Sequence, residues 1–141
     1  MSAIIEVRNV RKTFKKDSTQ DLLVLDQIDL RVEPGEIVAL LGTSGSGKST
    51  LLRIISGLIT PSSGEVDLLG KPVRGPAPGV GMVFQSFALM PWMTVLENVE
   101  IGLEAQGVSL KSRRERALKT IDMVGMDGFE SAYPRELSGG M

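Results

Sequence analysis

One stretch, Gly42-Thr43-Ser44-Gly45-Ser46-Gly47-Lys48-Ser49-Thr50, limits the fold more than any other part of this 141-residue chain. It follows the apolar run "EIVALL" (36–41) and opens "KSTLLRIISGL", where apolar residues recur at helical spacing up to Gly57. An unbroken apolar run reads as a strand buried on both faces of a parallel sheet. Gly42, four residues, Gly47, Lys48 and Ser49 form the Gly-x-x-x-x-Gly-Lys-[Ser/Thr] pattern. Glycines let the backbone bend so that successive N–H groups face inward at phosphate oxygens. Lys48 adds a mobile point charge for the outer phosphates. Ser49 offers a small hydroxyl to Mg2+, an ion that keeps most of its waters. The following helix aims its N-terminal dipole at the same anion. A Gly/Ser-rich loop without a ligand is the alternative, but the strand-to-helix context favours phosphate binding. The loop alone does not separate an ATPase from a GTPase or a kinase.

Composition closes off other chemistries. The chain has no cysteine and no histidine, so disulfides, thiolate metal sites and a histidine general base are excluded within it. Its net charge of −1 gives no nucleic-acid footprint and no polybasic membrane anchor. Hydrophobic residues make up 42%, ordinary for a soluble domain, and no apolar run is long enough to span a bilayer. The N-terminus lacks a basic-then-apolar leader pattern, and the chain reads as the start of a cytosolic protein.

Around the loop, "AIIEVRNV" and "LLVLDQIDLRV" alternate apolar and polar residues, as half-buried strands do, with "RKTFKKDSTQD" as a polar turn between them. They suggest an antiparallel layer. "TPSSGEVDLLGKPV" reads as turn, short strand and turn, "RGPAPG" (74–79) as a seam, and "VGMVFQ" (80–85) as a second buried strand. Beyond Gln85 the pattern is helical. Thr94 and Glu97 form a capping box opening a helix to about Gln106. Ser109 is placed to cap the next helix, with Ala117, Ile121 and Val124 on its apolar face and Gly125 as the stop.

Two further marks narrow the reading. Gln85 closes the run "GMVFQ", where its amide could reach Mg2+ or a water beside the last phosphate; taken alone, it reads first as a polar residue ending a strand. Leu137-Ser138-Gly139-Gly140 would make another anion nest, or a linker. Together with the phosphate loop, these marks make the chain resemble the nucleotide-binding subunit of ATP-binding-cassette (ABC) transporters, over essentially its whole length. The resemblance makes Gly42–Thr50 the Walker A loop that binds ATP, with Lys48 and Gln85 catalytic and Ser49 and Gln85 on Mg2+. It makes Leu137–Gly140 the signature motif, which contacts ATP held by a second nucleotide-binding subunit. Phe14 matches the aromatic that stacks on adenine, where the family more often has Tyr, and Val24 an apolar position near the base. The wording "GMVFQSFALMPWMTVLENV" and "AYPRELSGGM", with Met141 where most relatives have Gln, most looks like the nitrate/sulfonate/taurine importer class.

The resemblance implies an α/β P-loop NTPase (RecA-like) core, 36–59 and 80–85. An antiparallel β subdomain would take 1–35 and 60–79, and 86–141 would begin a helical subdomain. It also implies an ATPase that powers solute import, peripheral on the cytoplasmic face of the cell membrane. The partners would be a permease, met through about 85–99, and indirectly a periplasmic solute-binding protein. Phe87, Leu89, Met90, Trp92 and Met93 would form the permease-facing patch, or else pack inside the helical subdomain. The family's Walker B carboxylates and switch histidine are not found; Asp122 and Asp127 come too early and lack a preceding apolar strand. A fragment is therefore expected, inactive by itself, truncated after the signature and with an open sheet edge. The alternatives are a non-transport ABC ATPase of DNA repair or translation and, less compatible with "LSGG", a small P-loop kinase.

Overall fold

The computed structural model describes residues 3–17, 20–85 and 88–141. The chain divides into two units, residues 1–82 and 83–141.

The first unit is built on a long hairpin. β1 (Ile5–Asp17) pairs antiparallel with β2 (Gln20–Val32), β3 (Ser63–Leu68) adds to the other side of β1, and β4 (Lys71–Pro72) closes the order β2-β1-β3-β4. The expected polar turn over 11–21 is largely strand instead. Exposed parts of a two-stranded ribbon tolerate polar side chains because the ladder is made by backbone groups. The hairpin also carries irregularities. Two β1 residues stand between Val7 and Val10 where only Asp29 stands between their partners Leu30 and Ile28. Asn9 takes up this bulge at φ 47°, and its N–H donates to Asp29 Oδ1 at 2.7 Å. A second shift, between Val10 and Lys12, has Gln27 at φ 49° on the facing strand.

One face of this sheet carries α1 (Lys48–Ile55). Val7, Val10, Leu25, Leu51, Ile54, Ile55 and Val66 form a single buried cluster, flanked by half-buried Val24, Leu40 and Val73. Leu51, Ile54 and Ile55 follow the helical period, so burying that stripe fixes which face of α1 turns to the sheet.

The two expected buried strands are corrected. No ladder forms over 36–41 or 80–85, and Ile37 is 98% exposed, Leu41 91% and Val83 98%. The apolar run encodes a preference for burial, but a strand needs a neighbour's N–H and C=O groups, and none among the described residues lies alongside. The sheet of the described residues is accordingly antiparallel throughout.

In the second unit, α2 (Val95–Ala105) packs against α3 (Leu110–Met123). The Thr94–Glu97 capping box is present. Glu97 N–H donates to Thr94 Oγ1 at 3.3 Å, and Glu97 Oε2 accepts from Thr94 N–H at 2.7 Å and from Thr94 Oγ1 at 3.0 Å. Two more orphan donors of the first turn, Val95 N–H and Leu96 N–H, reach Ala132 O and Glu130 O. Buried Glu100 accepts from Arg114 Nε at 3.2 Å, tying the helices together. Ser109 stands at the N-cap of α3 but makes no side-chain cap bond. Ala117 and Ile121 are buried, whereas Val124, one residue past the helix, is 65% exposed. Gly125, at φ 71°, follows it.

The Thr94 N–H, then the Thr94 hydroxyl, hold the Glu97 carboxyl below its ordinary value of 4.5. A depressed folded-state value stabilises the fold above the unfolded-state value and loses that contribution as pH falls through the lower one. Wild type is therefore expected to lose α2 helicity in acid below about pH 4.5, more steeply than Glu97→Gln, in paired far-ultraviolet circular dichroism titrations. Coincident curves would contradict this.

Candidate nucleotide-binding site

The loop 42–50 runs from the extended segment into the first turn of α1. Gly47 is its N-cap, at φ 90° and buried. A Cβ there would lie 2.7 Å from Leu25 Cδ2 and 2.9 Å from Val24 O, so the loop presses against β2 where only hydrogen fits. Gly45 also has positive φ, 81°, in open space. A Cβ on Gly42 would meet Ser46 Oγ at 2.7 Å. Ser46 N–H closes a turn on Thr43 O at 3.2 Å.

Lys48 folds back over this arch. Its Nζ donates to Thr43 O at 2.7 Å, to Gly42 O at 2.9 Å and to Ser46 Oγ at 3.3 Å. The ammonium is thus held inside the loop's concave rim, beside the helix N-terminus. Leu51 N–H makes the first intrahelical bond, to Gly47 O, so the first-turn donors Lys48, Ser49 and Thr50 remain for an anion. Thr43, Ser44 and Ser49 are exposed, Thr50 half-buried. The arrangement can grip a polyphosphate with backbone N–H groups, one ammonium and one hydroxyl. Among the described residues no cluster of three or more His, Asp or Glu could hold a metal. The donor set therefore suits an ion held mostly by phosphate and water, with Ser49 Oγ as a protein ligand.

Phe14 lies on β1 in the same unit, 40% exposed, opposite Leu22. Val24, whose carbonyl backs Gly47, is half-buried nearby on β2. Lys12 places its Nζ 5.0 Å from the Phe14 ring centroid and donates to Thr60 O at 2.7 Å. Sequence reasoning missed this lysine by taking 11–21 for a turn; a Lys two residues before an aromatic on one strand shares its face.

The remaining expected site residues fall in the second unit. Gln85 sits in an exposed bend. Leu137 is half-buried after a 3-10 turn (Pro134–Glu136); Ser138, Gly139 and Gly140 are exposed, with Met141 N–H bonded to Ser138 O at 3.0 Å. Leu89, Pro134, Leu137, Ser138, Gly139 and Met141 line a shallow hollow of about 260 Å3. Of the expected patch, Leu89, Met90 and Trp92 are exposed and Met93 half-buried; Phe87 lies outside the described residues. Asn98 holds the loop before α2. Its Nδ2 donates to Met90 O, Met93 O and Thr94 O, and its Oδ1 accepts from Met90 N–H at 2.8 Å. This brace was a further omission, since a lone Asn carries no sequence signal for it.

A family model described as ABC transporter matches residues 25–141. The nitrate import ATP-binding protein NrtD of Synechocystis sp. is 49% identical over 139 residues, 97% of this chain and 51% of that protein. The taurine import ATP-binding protein TauB of Yersinia pestis is 46% identical over 117 residues, 83% of this chain and 46% of that protein. The chain thus spans about half the length of these curated relatives. A solved dimeric, post-hydrolysis state of the ATP-binding cassette MJ0796, bound to ADP and Pi, superposes with a TM-score of 0.84. It is 36% identical, over 96% of this chain and 64% of that one.

Proposed function

The chain belongs to the ABC transporter family, with the P-loop cassette fold, and from that premise we propose that it is the ATP-binding and ATP-hydrolysing part of an importer, of nitrate/sulfonate/taurine type. The observation that carries this reading is the Lys48 ammonium, poised on three loop oxygens at the N-terminus of α1.

Residues Gly42–Thr50 bind the triphosphate. Loop N–H groups donate to its oxygens, and Lys48 exchanges the carbonyls of Gly42 and Thr43 for the outer phosphates. That exchange replaces neutral acceptors with anionic ones, which are the stronger partners. Phe14 gives the base an apolar face, with Val24 beside it. Mg2+ would be held by Ser49, neutralising charge on the phosphates when bound. Leu137–Gly140 serve ATP bound on a second copy, so the working unit is a dimer; a dimeric cassette among the solved structures supports this. The domain reading keeps 1–35 and 60–79 as antiparallel β subdomain, 36–59 and 80–85 as P-loop core and 86–141 as helical subdomain. Its support is that β1 to β4 fall in the first pair of ranges, α1 in the second, and α2 and α3 in the third.

No helix among the described residues is long and apolar enough to cross a membrane. A separate permease is the proposed partner, met through about 85–99. The exposed Leu89, Met90 and Trp92, on a loop braced by Asn98, support that contact. The protein then works at the cytoplasmic face of the membrane, and a periplasmic solute-binding protein delivers the solute to the permease. Reconstitution with its permease in vesicles tests the whole reading. ATP-driven uptake of nitrate, a sulfonate or taurine is expected; uptake that proceeds equally without ATP would overturn it.

A further inference from the structure

We infer that Lys12 is a specificity-determining residue of the nucleotide site, favouring a purine base over a pyrimidine through its grip on Phe14; this rests on the nucleotide-binding reading above. Lys12 and Phe14 are two residues apart on β1 and so project from the same sheet face. Lys12 stands opposite Leu25 and Phe14 opposite Leu22. Leu25 and Val24 are the residues that Gly47 presses against, so this face continues from the back of the phosphate loop.

Two contacts occupy the Lys12 head. Its Nζ lies 5.0 Å from the ring centroid of Phe14 and 2.7 Å from Thr60 O. Thr60 follows α1, so the lysine ties the strand bearing the aromatic to the end of the helix that the phosphate loop begins. A cation over one face of a benzene ring draws π density towards itself. The opposite face becomes less negative and stacks better on a large, electron-rich purine than on a smaller, poorer pyrimidine. The tether also fixes the ring plane, lowering the ordering cost when a base arrives. With its ammonium committed to the ring and the carbonyl, Lys12 contributes to the base and not to the phosphates.

The test is competition against a fluorescent ATP analogue in the intact protein, using ATP, CTP and inorganic tripolyphosphate. Lys12→Met keeps the chain length and removes the charge; Lys12→Gln keeps a donor for Thr60 and removes the charge. Both are expected to weaken ATP about threefold to tenfold while CTP and tripolyphosphate change by less than about twofold. Lys12→Arg should retain the ATP preference. In a Phe14→Ala background, Lys12→Met should shift ATP by less than about twofold. Equal weakening of all three ligands, or unchanged ATP affinity in both neutral variants, would overturn the assignment. Failure of the unaltered protein to bind tripolyphosphate and ATP would instead defeat the nucleotide reading itself, and the Lys12 role with it.

Discussion

Lys48→Ala is expected to weaken ATP binding by about tenfold or more and to cut hydrolysis by the complete protein at least about a hundredfold. The ammonium already sits among Thr43 O, Gly42 O and Ser46 Oγ at 2.7 to 3.3 Å, so it needs only to change partners when phosphate enters. A hydrogen bond from a charged donor to an anion is worth roughly 1.5–3 kcal/mol, about tenfold to a hundred-and-fiftyfold in affinity. A positioned cation also stabilises the charge that develops in the transition state, which adds the kinetic loss. Stability should move by less than about 1 kcal/mol, because Gly42 and Thr43 are exposed and water replaces the lost donor. Lys48→Arg keeps the charge but substitutes a broad planar fork for a compact head, and it is expected to fail nearly as badly. Hydrolysis rates, nucleotide titration and thermal melts on the same samples separate these effects. A variant that binds ATP like wild type would remove the lysine from the site.

Gly64→Ala is expected to destabilise the protein by about 3–5 kcal/mol, without any contact to nucleotide. Gly64 has φ 78°, and a Cβ there would lie 2.2 Å from Asn9 O and 2.6 Å from Arg8 O. These are backbone atoms of the β1 bulge, which the ladder holds on both sides through Arg8–Glu65 and Arg11–Ser63. The Asn9 N–H is itself fixed on Asp29. At Gly57 the approach is closer still, 1.8 Å to Gly75 O, in the connection after β4 that Ala77 N–H ties to Ser56 O at 3.1 Å. Gly70→Ala is the control. Gly70 has φ 73° with nothing within 4 Å of a Cβ, so it should show only the backbone strain, about 1 kcal/mol. Equal losses at 64 and 70 in denaturant unfolding would show that the bulge is not clamped.

The loop that leads from Gly42 into α1 was legible because Gly42, Gly47, Lys48 and Ser49 stand at the fixed spacing of a glycine-rich turn opening a helix. The α2 start was legible for the same kind of reason, since Thr94 and Glu97 satisfy each other's donors locally. Where pairing decides, local pattern is silent. "EIVALL" and "VGMVFQ" look like buried strands, yet Ile37 and Val83 are almost fully exposed because no ladder partner lies beside them among the described residues. The polar run 11–17 looks like a turn, yet the backbone of β2 holds it as strand. The bulges at Asn9 and Gln27 carry no glycine to announce positive φ. Lys12 escaped notice for a related reason, because its role depends on a strand geometry that its polar neighbours obscure.

The central claim is that residues 42–50 cradle the phosphates of ATP while Phe14 meets the base. Backbone amide chemical shifts, followed by 15N NMR as Mg-ATP is added to the intact protein, test it most directly. The account predicts the largest shifts at Gly45, Ser46, Gly47, Lys48 and Ser49, with a smaller set around Phe14 that tripolyphosphate does not reproduce. Saturable binding that leaves the amides of 42–50 unmoved would contradict it.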